Sequence, residues 1–380
     1  MQTHQFSYKK NEWVGLEAVS PEKNNIQVVL VFAERTLLEQ NEFISKLQSS
    51  FPVSKIITCS SAGEINHSLI QEESAVCSTM SFDKTPTDFS VKNIKDYSNS
   101  FSLGEAAAKG LKQENLKYIL VISDGSLVNG DDLLKGIQQG TDPSVLISGG
   151  VAGDGTRFQK TLVGLDGDIK EGNVVLMGLY GDHIRVGSSA YGGWDIYGPE
   201  RMITRSESNI LYDIDGKNAL ELYKQYLGKY TEGLPASALL FPISIKAKNE
   251  TAYVVRTILS IDETNKTMCF AGNVAEGSEV RFMKSNFDRL INAASDAGAE
   301  AISNMGDYPV DMALLVSCVG RKLVLTDRTD EEVEAVLDKM SDKSSVIGFF
   351  SYGEFAPQKG NEKTQLHNQT MTVTTFTELP

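Results

Sequence analysis

Three pairs of a glycine followed by an acidic residue are the positions where this sequence is best placed to do chemistry. The pairs are Gly63-Glu64, Gly153-Asp154 and Gly353-Glu354, and each follows an apolar run with the pattern of a buried strand. A carboxylate at the carboxyl end of a strand lies where open α/β sheets bind ligands, and it can accept hydrogen bonds from an ammonium group. The alternative is structural, because an acid at a strand end can also brace a neighbouring loop through backbone N–H groups.

A glycine-rich run, residues 149–155 with the sequence GGVAGDG, includes the second of these pairs. Glycines let a backbone approach a ligand closely, and exposed N–H groups in such a turn bind carboxylate or phosphate. The run matches neither a dinucleotide-binding fingerprint nor a P-loop, so nucleotide binding is disfavoured. We expect a turn that contacts a free amino acid, with Arg157 and Arg321 as partners for the carboxylate of the ligand. The alternative is a tight turn with positive φ and no ligand.

An enzymatic alternative rests on Cys318, which follows a predicted strand, with His367 as the base that would activate its thiol. The two residues are far apart in sequence, and a buried, unreactive cysteine is the commoner outcome. The four cysteines and four histidines form no Cys-x-x-Cys pair and show no metal-ligand spacing. We therefore predict no catalytic residue in the preferred hypothesis, no metal site, no cofactor and no disulfide framework.

Three strand–helix–strand units must position these residues. In each unit an amphipathic helical pattern separates two apolar runs, as in a βαβ unit. The predicted strand pairs are 28–32 with 55–59, 118–122 with 145–148, and 313–316 with 346–350. Each glycine–acid pair follows the second strand of its unit, and this common position favours three diverged copies of one unit.

Antiparallel patterns lie between the units, at 161–163 with 174–178 and at 257–261 with 268–271. Both halves of the chain place an acid and a glycine before the next strand, as in Glu171-Gly172 and Glu276-Gly277. The predicted fold class is therefore α/β to α+β, with two domains built from repeated βαβ units plus antiparallel strands and with internal duplication. The segment 228–235, rich in Gly, Thr and Pro, is the predicted boundary.

Composition and charge exclude several classes of function. The chain has 380 residues, 36 Lys+Arg and 50 Asp+Glu, and a formal net charge of −14. This length is enough for about two domains. The acidic balance argues against nucleic acid and anionic lipid as partners, and no apolar stretch reaches the ~18 residues of a membrane span. The polar N-terminus lacks the apolar core of a secretion signal, so we expect a cytoplasmic protein.

Six motifs in order resemble the FIST family (F-box and intracellular signal transduction proteins), in which a FIST N domain precedes a FIST C domain. The resemblance covers about residues 28 to 376, and several motifs in order are more specific than any single one. It implies a FIST N-like domain at 28–230 and a FIST C-like domain at 231–376. The motifs are 59–65 (CSSAGEI), 149–155 (GGVAGDG), 191–199 (YGGWDIYGP), 317–321 (SCVGR), 350–354 (FSYGE) and 366–370 (LHNQT).

The resemblance implies an intracellular sensory protein that binds a small ligand, with amino acids as the expected class. We find no kinase, methyl-acceptor or F-box-like segment in the sequence, so a signalling protein in trans is the expected partner. Two alternatives are an enzyme acting on a small metabolite through Cys318 and a scaffold that binds only proteins. The candidate ligand-binding residues are Ser61, Gly63, Glu64, Gly149, Gly150, Asp154, Arg157, Arg321, Tyr352, Glu354 and Asn368.

Overall fold

The computed structural model describes residues 1–19, 26–248, 250, 252–358 and 361–380. In this part of the chain the strands are β1 Gln2–Lys9, β2 Glu12–Val14, β3 Val28–Ala33, β4 Lys55–Ser60, β5 Glu64–Asn66, β6 Leu69–Gln71, β7 Ser74–Ser81, β8 Thr87–Asn93, β9 Leu116–Ser123, β10 Leu146–Val151, β11 Val163–Leu165, β12 Asp168–Lys170, β13 Asn173–Tyr180, β14 Ile184–Tyr191, β15 Asp195–Ile196, β16 Arg201–Glu207, β17 Ile210–Ile214, β18 Lys217–Asn218, β19 Ile243–Lys246, β20 Val254–Arg256, β21 Ile258–Asp262, β22 Thr267–Phe270, β23 Glu279–Lys284, β24 Met312–Cys318, β25 Ser345–Ser351, β26 Gly353–Gln358, β27 Asn361–His367 and β28 Met371–Glu378. The α-helices of the same part are α1 Arg35–Leu38, α2 Asn41–Ser50, α3 Ser100–Lys109, α4 Gly130–Gln139, α5 Ala219–Leu227, α6 Phe287–Ser303, α7 Val319–Leu325 and α8 Thr329–Leu337.

Each of the three predicted βαβ units forms the centre of a separate sheet. The parallel pairs are β3 with β4, β9 with β10, and β24 with β25. The first strand of each pair has an antiparallel neighbour, which is β7, β13 or β28, and β1, β8 or β14 lies beyond it. The prediction of an α/β fold built from repeated βαβ units with antiparallel strands is confirmed.

The three sheets exchange hairpins around the molecule. The hairpin β5–β6 leaves the first unit and joins the third sheet beside β25. In the same way β11–β12 leaves the second unit for β4, and β26–β27 leaves the third unit for β10. The repeat of the three predicted βαβ units is therefore threefold. The sheets also do not divide at the predicted boundary of 230/231, because strands from both sides of it share the second and third sheets.

One apolar core fills the space between the three sheets. It contains side chains from all three units, among them Leu30, Leu120 and Leu314. Phe32 of the first sheet stacks on Phe349 of the third, with ring centroids 4.5 Å apart. Burying this apolar surface supplies the main favourable free energy of folding, and the helices cover the outer faces of the sheets with separate cores.

A fourth sheet is inserted between β14 and α6. It contains β15 to β23, α5 packs on it, and it has a core of its own around Leu211, Tyr223 and Phe282. We call residues 195–284 the insert and the three sheets with their helices the body. No described helix is long and apolar enough to cross a membrane.

The prediction of a turn at residues 149–155 is wrong for Gly149 and Gly150, because both residues lie inside β10. β10 is buried between β9 and β26, and residues of β9 and of the third sheet leave no space for side chains here. A Cβ on Gly149, where φ is +142°, would lie 2.0 Å from the Val121 carbonyl oxygen. A Cβ on Gly150 would lie 2.6 Å from a methyl group of Val316. The glycines are therefore needed for close packing of strands.

Candidate functional site

A cavity of about 1060 Å³ lies between the body and the insert. On the body side it is walled by residues within 125–130 after β9, 156–160 after β10, and 318–324 after β24. On the insert side it is walled by residues within 233–240 and 257–259. The cavity thus lies at the carboxyl ends of parallel strands, where such sheets commonly bind ligands.

Local hydrogen bonds shape the loop after β9. The carboxylate of Asp124 accepts the N–H groups of Ser126 and Leu127, at 2.9 and 2.6 Å. Asn129 then caps α4 by accepting the N–H of Asp132 at 3.1 Å. Short polar side chains at these positions favour a turn followed by a helix N-terminus. The result is that Leu127 is 49% exposed on the rim of the cavity.

The described lining of the cavity is mostly apolar. Lys160 is its one charged residue, and its Nζ lies 2.8 Å from Glu39 Oε1. Thr257 is 6% exposed, and its buried Oγ1 has no hydrogen-bond partner among the described residues. The exposed rim residues Phe158 and Leu259 extend the apolar surface outward. Concave apolar sites with few polar groups are the usual form of small-molecule sites.

The loop after β10 carries an aromatic stack at the cavity rim. Phe158 lies flat against Tyr352, with ring centroids 4.6 Å apart. The Tyr352 hydroxyl donates to the Gly155 carbonyl at 3.2 Å, and it accepts the N–H of Phe158 at 3.3 Å. Burial raises the pKa of Tyr352 to about 12. Phe158 has a φ of +52°, which is uncommon for a bulky residue and indicates backbone strain in this loop.

At three equivalent positions in the body, the segment after the first strand of one unit meets the segment after the second strand of another unit. Charged side chains fill the position between the first and second units. Arg35 follows β3 and donates from Nε to Asp154 Oδ1 at 2.9 Å. Arg157 donates to the same oxygen at 2.7 Å and to Glu34 at 2.7 Å. Burial alone would raise the pKa of Asp154, but the hydrogen bonds from Arg157 and Arg35 bring it below its ordinary value. Asp154 and Arg157 therefore bind each other.

A lysine fills the equivalent position between the third and first units. Lys322 follows β24 and donates from Nζ to the Ala62 carbonyl at 2.8 Å and to Glu72. The same Nζ would lie 2.7 Å from a Cβ on Gly63, whose φ is +132°. At the third equivalent position, between the second and third units, Gly125 faces the ring of Tyr352 without a charged side chain. The cavity lies at this position.

Glu64 and Glu354 are buried at equivalent positions and hydrogen-bonded within the protein. Glu64 is 1% exposed and accepts from the hydroxyl groups of Ser61 and Ser74. Glu354 is 0% exposed and accepts from Ser351 at 2.6 Å and from the Thr370 hydroxyl at 2.9 Å. Burial raises the pKa of each carboxyl to about 8. Both acids are therefore mostly neutral at pH 7 and lack the charge that an ammonium group would need.

Arg321 is a structural cation. It is 0% exposed, its Nε lies 2.9 Å from Glu332 Oε2, and its other nitrogens donate to the carbonyls of Gly192 and Leu290 at 2.6 and 2.8 Å. These contacts join α7, α8 and α6. The guanidinium group is occupied by the protein, so it is poorly placed to receive the carboxylate of a ligand.

Cys318 and His367, its expected base, have different surroundings in the structure. Cys318 is 3% exposed but reaches the cavity wall. Burial, followed by the nearby Glu354, raises the pKa of its thiol well above the ordinary value. His367 Nε2 lies 3.0 Å from the Ala356 carbonyl, and burial lowers its pKa to about 4. No hydrogen bond joins Cys318 to His367 in the described part of the chain.

Two sets of contacts hold the insert against the body beside the cavity. Arg256 donates from Nη2 to both oxygens of Asp131 at 3.1 Å, and from Nη1 to the Leu366 carbonyl at 2.9 Å. Asn273 donates from its backbone N–H to Asp131 at 2.5 Å and from Nδ2 to Asp132 at 2.9 Å. We call Asp131, Asp132, Arg256 and Asn273 the clasp.

Of the candidate ligand-binding residues, Tyr352 lines the cavity. Asn368 is fully buried, with Nδ2 at 3.4 Å from the Tyr352 carbonyl, and in the part of the chain that the structure describes its Oδ1 has no hydrogen-bond partner. The sequence analysis missed Thr257, Phe158 and most of the apolar lining. Thr257 and most of the apolar lining come from segments with ordinary core-like patterns. The motifs at 149–155, 317–321, 350–354 and 366–370 each contribute at least one residue to the lining.

Comparisons with known proteins support a family but no activity. An uncharacterized protein of Methanocaldococcus jannaschii is 22% identical over 246 residues, which cover 57% of this chain. They cover 46% of that protein, so the chain spans about half the length of the curated relative it matches. A cyanuric acid hydrolase from A. caulinodans aligns over 100% of this chain and 99% of its own, with a TM-score of 0.42 and 6% identity. A chorismatase aligns over 98% of each chain, with a TM-score of 0.36 and 9% identity. TM-scores this low support no functional argument.

The match to family models is extensive. The model of the FIST N domain matches residues 27–217, and the model of the FIST C domain matches residues 219–357. The motifs at 59–65, 149–155, 191–199 and 317–321 all lie within these matches. This chain therefore belongs to the FIST family, with a FIST N domain followed by a FIST C domain.

Proposed function

We propose that this protein senses a small molecule bound in the cavity between the body and the insert and passes the signal to a partner protein in trans. FIST domains are associated with signal transduction and small-ligand sensing. The observation that carries the proposal is that residues of the body and of the insert line the same apolar cavity of about 1060 Å³. A ligand there contacts the two parts at once, so it can favour one arrangement of them over another.

The clasp supports a route from the ligand to the surface of the molecule. Gly130 and Thr257 line the cavity, and their neighbours Asp131 and Arg256 form the clasp. A ligand that moves either segment changes the geometry of this ion pair. The partner protein would bind the insert in the arrangement that results.

The enzymatic alternative has weaker support. Cys318 lies in the cavity wall, but burial keeps its thiol protonated near neutral pH and His367 bonds to a carbonyl group. A nucleophilic cysteine needs a lowered pKa or an adjacent base. We therefore prefer the sensor.

The test is thermal unfolding of the full chain against a panel of amino acids and neutral apolar metabolites at millimolar concentration. A ligand at about 100 times its Kd adds about 2.7 kcal/mol to the free energy of unfolding, and this raises Tm by several degrees. Ala236 is exposed and lines the cavity from a short 3-10 helix, so Ala236→Phe should fold but fill part of the cavity. We expect this variant to lose the rise in Tm.

Ala18→Phe is the matched control, because Ala18 is also exposed in a short 3-10 helix but lies outside the cavity. It should keep the full rise in Tm. A flat response of the wild-type protein to the whole panel, or an undiminished response of Ala236→Phe, would contradict the proposal.

A further inference from the structure

Three polar side chains of the cavity lining are engaged within the protein. Lys160 Nζ lies 2.8 Å from Glu39 Oε1. The Tyr352 hydroxyl donates to a backbone carbonyl at 3.2 Å and accepts a backbone N–H at 3.3 Å. Ser126 Oγ lies 3.0 Å from the Thr161 hydroxyl and accepts the backbone N–H of the same residue at 3.1 Å. A ligand that needed these groups would have to break existing hydrogen bonds, so they add little affinity.

The other polar side chains of the described lining offer little to a ligand in the interior. The Thr257 Oγ1 is buried and has almost no accessible surface. Cys318 is 3% exposed, and a thiol is a weak hydrogen-bond donor. Thr156 and Gln159 are exposed, so water satisfies their hydrogen bonds. The interior therefore favours a ligand surface that needs no hydrogen bond.

The charges around the cavity disfavour an ionic ligand. Lys160 is the one charged residue of the described lining, and Glu39 already neutralises it. An anion would have to compete with Glu39, and a cation would find no carboxylate among the described lining residues. A charge moved from water into such surroundings loses hydration that these residues do not replace. A free amino acid is disfavoured twice on this criterion, because it carries both charges.

The rim of the cavity presents apolar side chains to solvent. Leu127, Phe158 and Leu259 line the cavity and are 49%, 49% and 47% exposed. Exposed apolar residues that are grouped around an opening often mark a ligand site. A ligand with an apolar body would cover them, and burial of this surface would provide most of the affinity.

Phe158 is placed to receive an aromatic ring. Tyr352 is stacked on its ring, with centroids 4.6 Å apart and planes 19° from parallel. About half of the surface of Phe158 is still exposed, and the residue lines the cavity. The stack with Tyr352 holds the ring in place, so a second ring can pack on it without first ordering the side chain.

Resting on the proposed function of this same cavity, we propose that the ligand is an uncharged, apolar molecule with an aromatic ring that packs against Phe158. Its apolar body fills the interior between the body and the insert and covers Leu127 and Leu259. The affinity comes from buried apolar surface and from the ring contact.

The first test uses three probes that share one ring system and differ in charge: 2-methylnaphthalene, 2-naphthoate and 2-naphthylmethylamine. At pH 7 the first is neutral, the second is an anion and the third is a cation. Binding to the full chain is measured by equilibrium dialysis. We expect 2-methylnaphthalene to bind most tightly and both ions to bind about tenfold more weakly, because each ion loses hydration in the cavity.

The second test changes the ring at position 158. Phe158→Leu keeps an apolar side chain but removes the ring, and an aromatic pair is worth about fivefold in affinity beyond the area it buries. We expect this variant to bind 2-methylnaphthalene about fivefold more weakly. Phe158→Tyr keeps the ring and should bind as the wild-type protein does. A φ of +52° is equally uncommon for Phe, Leu and Tyr, so both variants should fold.

Phe101→Leu is the matched control, because Phe101 is 39% exposed on α3 and lies outside the cavity. It should bind all three probes as the wild-type protein does.

The outcomes separate this inference from the proposed function. If either ion binds as tightly as 2-methylnaphthalene, or if Phe158→Leu keeps the wild-type affinity, the ligand class is wrong while the cavity remains a ligand site. If no probe binds, or if Ala236→Phe binds 2-methylnaphthalene as tightly as the wild-type protein does, the cavity is not the ligand site and the proposed function fails as well.

Discussion

At the scale of single residues, the acids at the three equivalent strand ends differ in protonation: one has a lowered pKa and two have raised pKa values. Asp154 meets Arg35 and Arg157 and has a lowered pKa, so it is charged at neutral pH. Glu64 and Glu354 meet hydroxyl groups in the interior, and burial raises the pKa of each to about 8. The partner, and not the acid itself, therefore decides whether the strand end carries a charge.

The raised pKa values predict an unusual dependence of stability on pH. A carboxyl with a pKa near 8 in the folded state and near its ordinary 4.5 in the unfolded state keeps more protons when folded. The stability contributed by Glu64 and Glu354 is thus complete below about pH 4.5 and declines up to about pH 8. The steepest slope is about 1.4 kcal/mol per pH unit for each group. Replacing both with Gln should flatten this decline, which urea unfolding between pH 5 and 9 would measure.

The control for this experiment is Glu114→Gln, which alters an exposed turn residue and should leave the slope unchanged. If the double variant and the wild-type protein decline with the same slope, the two acids are ionised in the folded protein. Glutamine fits these sites because it resembles the protonated acid in size and also accepts a hydrogen bond.

At the scale of elements, the clasp is the connection most sensitive to a single change. Asp131 is 12% exposed and Arg256 is 5% exposed, so Asp131→Asn leaves a nearly buried guanidinium without its anion. We expect the free energy of unfolding to fall by about 3 kcal/mol. Hydrogen exchange should rise at β20, β21 and the backbone of Ala271, because these segments adjoin Arg256.

A surface pair in the same insert provides the comparison. Arg205 and Asp213 are 3.4 Å apart, and their side chains are 62% and 27% exposed. Asp213→Asn should change stability by less than about 1 kcal/mol, as expected for an exposed pair. If Asp131→Asn leaves exchange near the cavity as slow as in the wild-type protein, the clasp does not hold the insert in place.

At the scale of the whole molecule, the exchange of hairpins makes the three units depend on one another. A fragment of residues 1–217 lacks β26–β27 for the second sheet, and its β5–β6 hairpin has lost its neighbour β25. The shared core also loses Leu314 and Phe349. We predict that this fragment does not unfold cooperatively in thermal denaturation followed by near-UV circular dichroism, and that adding residues 218–380 restores a cooperative transition.

Cooperative unfolding of the fragment by itself would instead mean that the FIST N segment is an independent domain. Sequence comparison divides the chain at 217/219, whereas the sheets join strands from both sides of that point. Family boundaries and folding units therefore need not coincide in this protein.

Much of the fold and little of the candidate site could be predicted from the sequence. The alternation of apolar strands with amphipathic helices identified all three βαβ units, because these patterns depend on neighbouring residues. The position of a glycine and an acid after each second strand was also predicted correctly. The sequence did not distinguish the strand residues Gly149 and Gly150 from a turn, because the carbonyl of Val121 that excludes a side chain there belongs to a distant segment.

By itself the sequence determined the family, the βαβ units and the chemical types at the strand ends. Only the tertiary structure decided which strand ends are charged, which are neutral and which border a cavity. Burial and partners depend on residues far apart in the chain, such as Arg35 for Asp154 and Lys322 for the segment around Gly63. The cavity lies at the third equivalent position, where Gly125 carries no charged side chain.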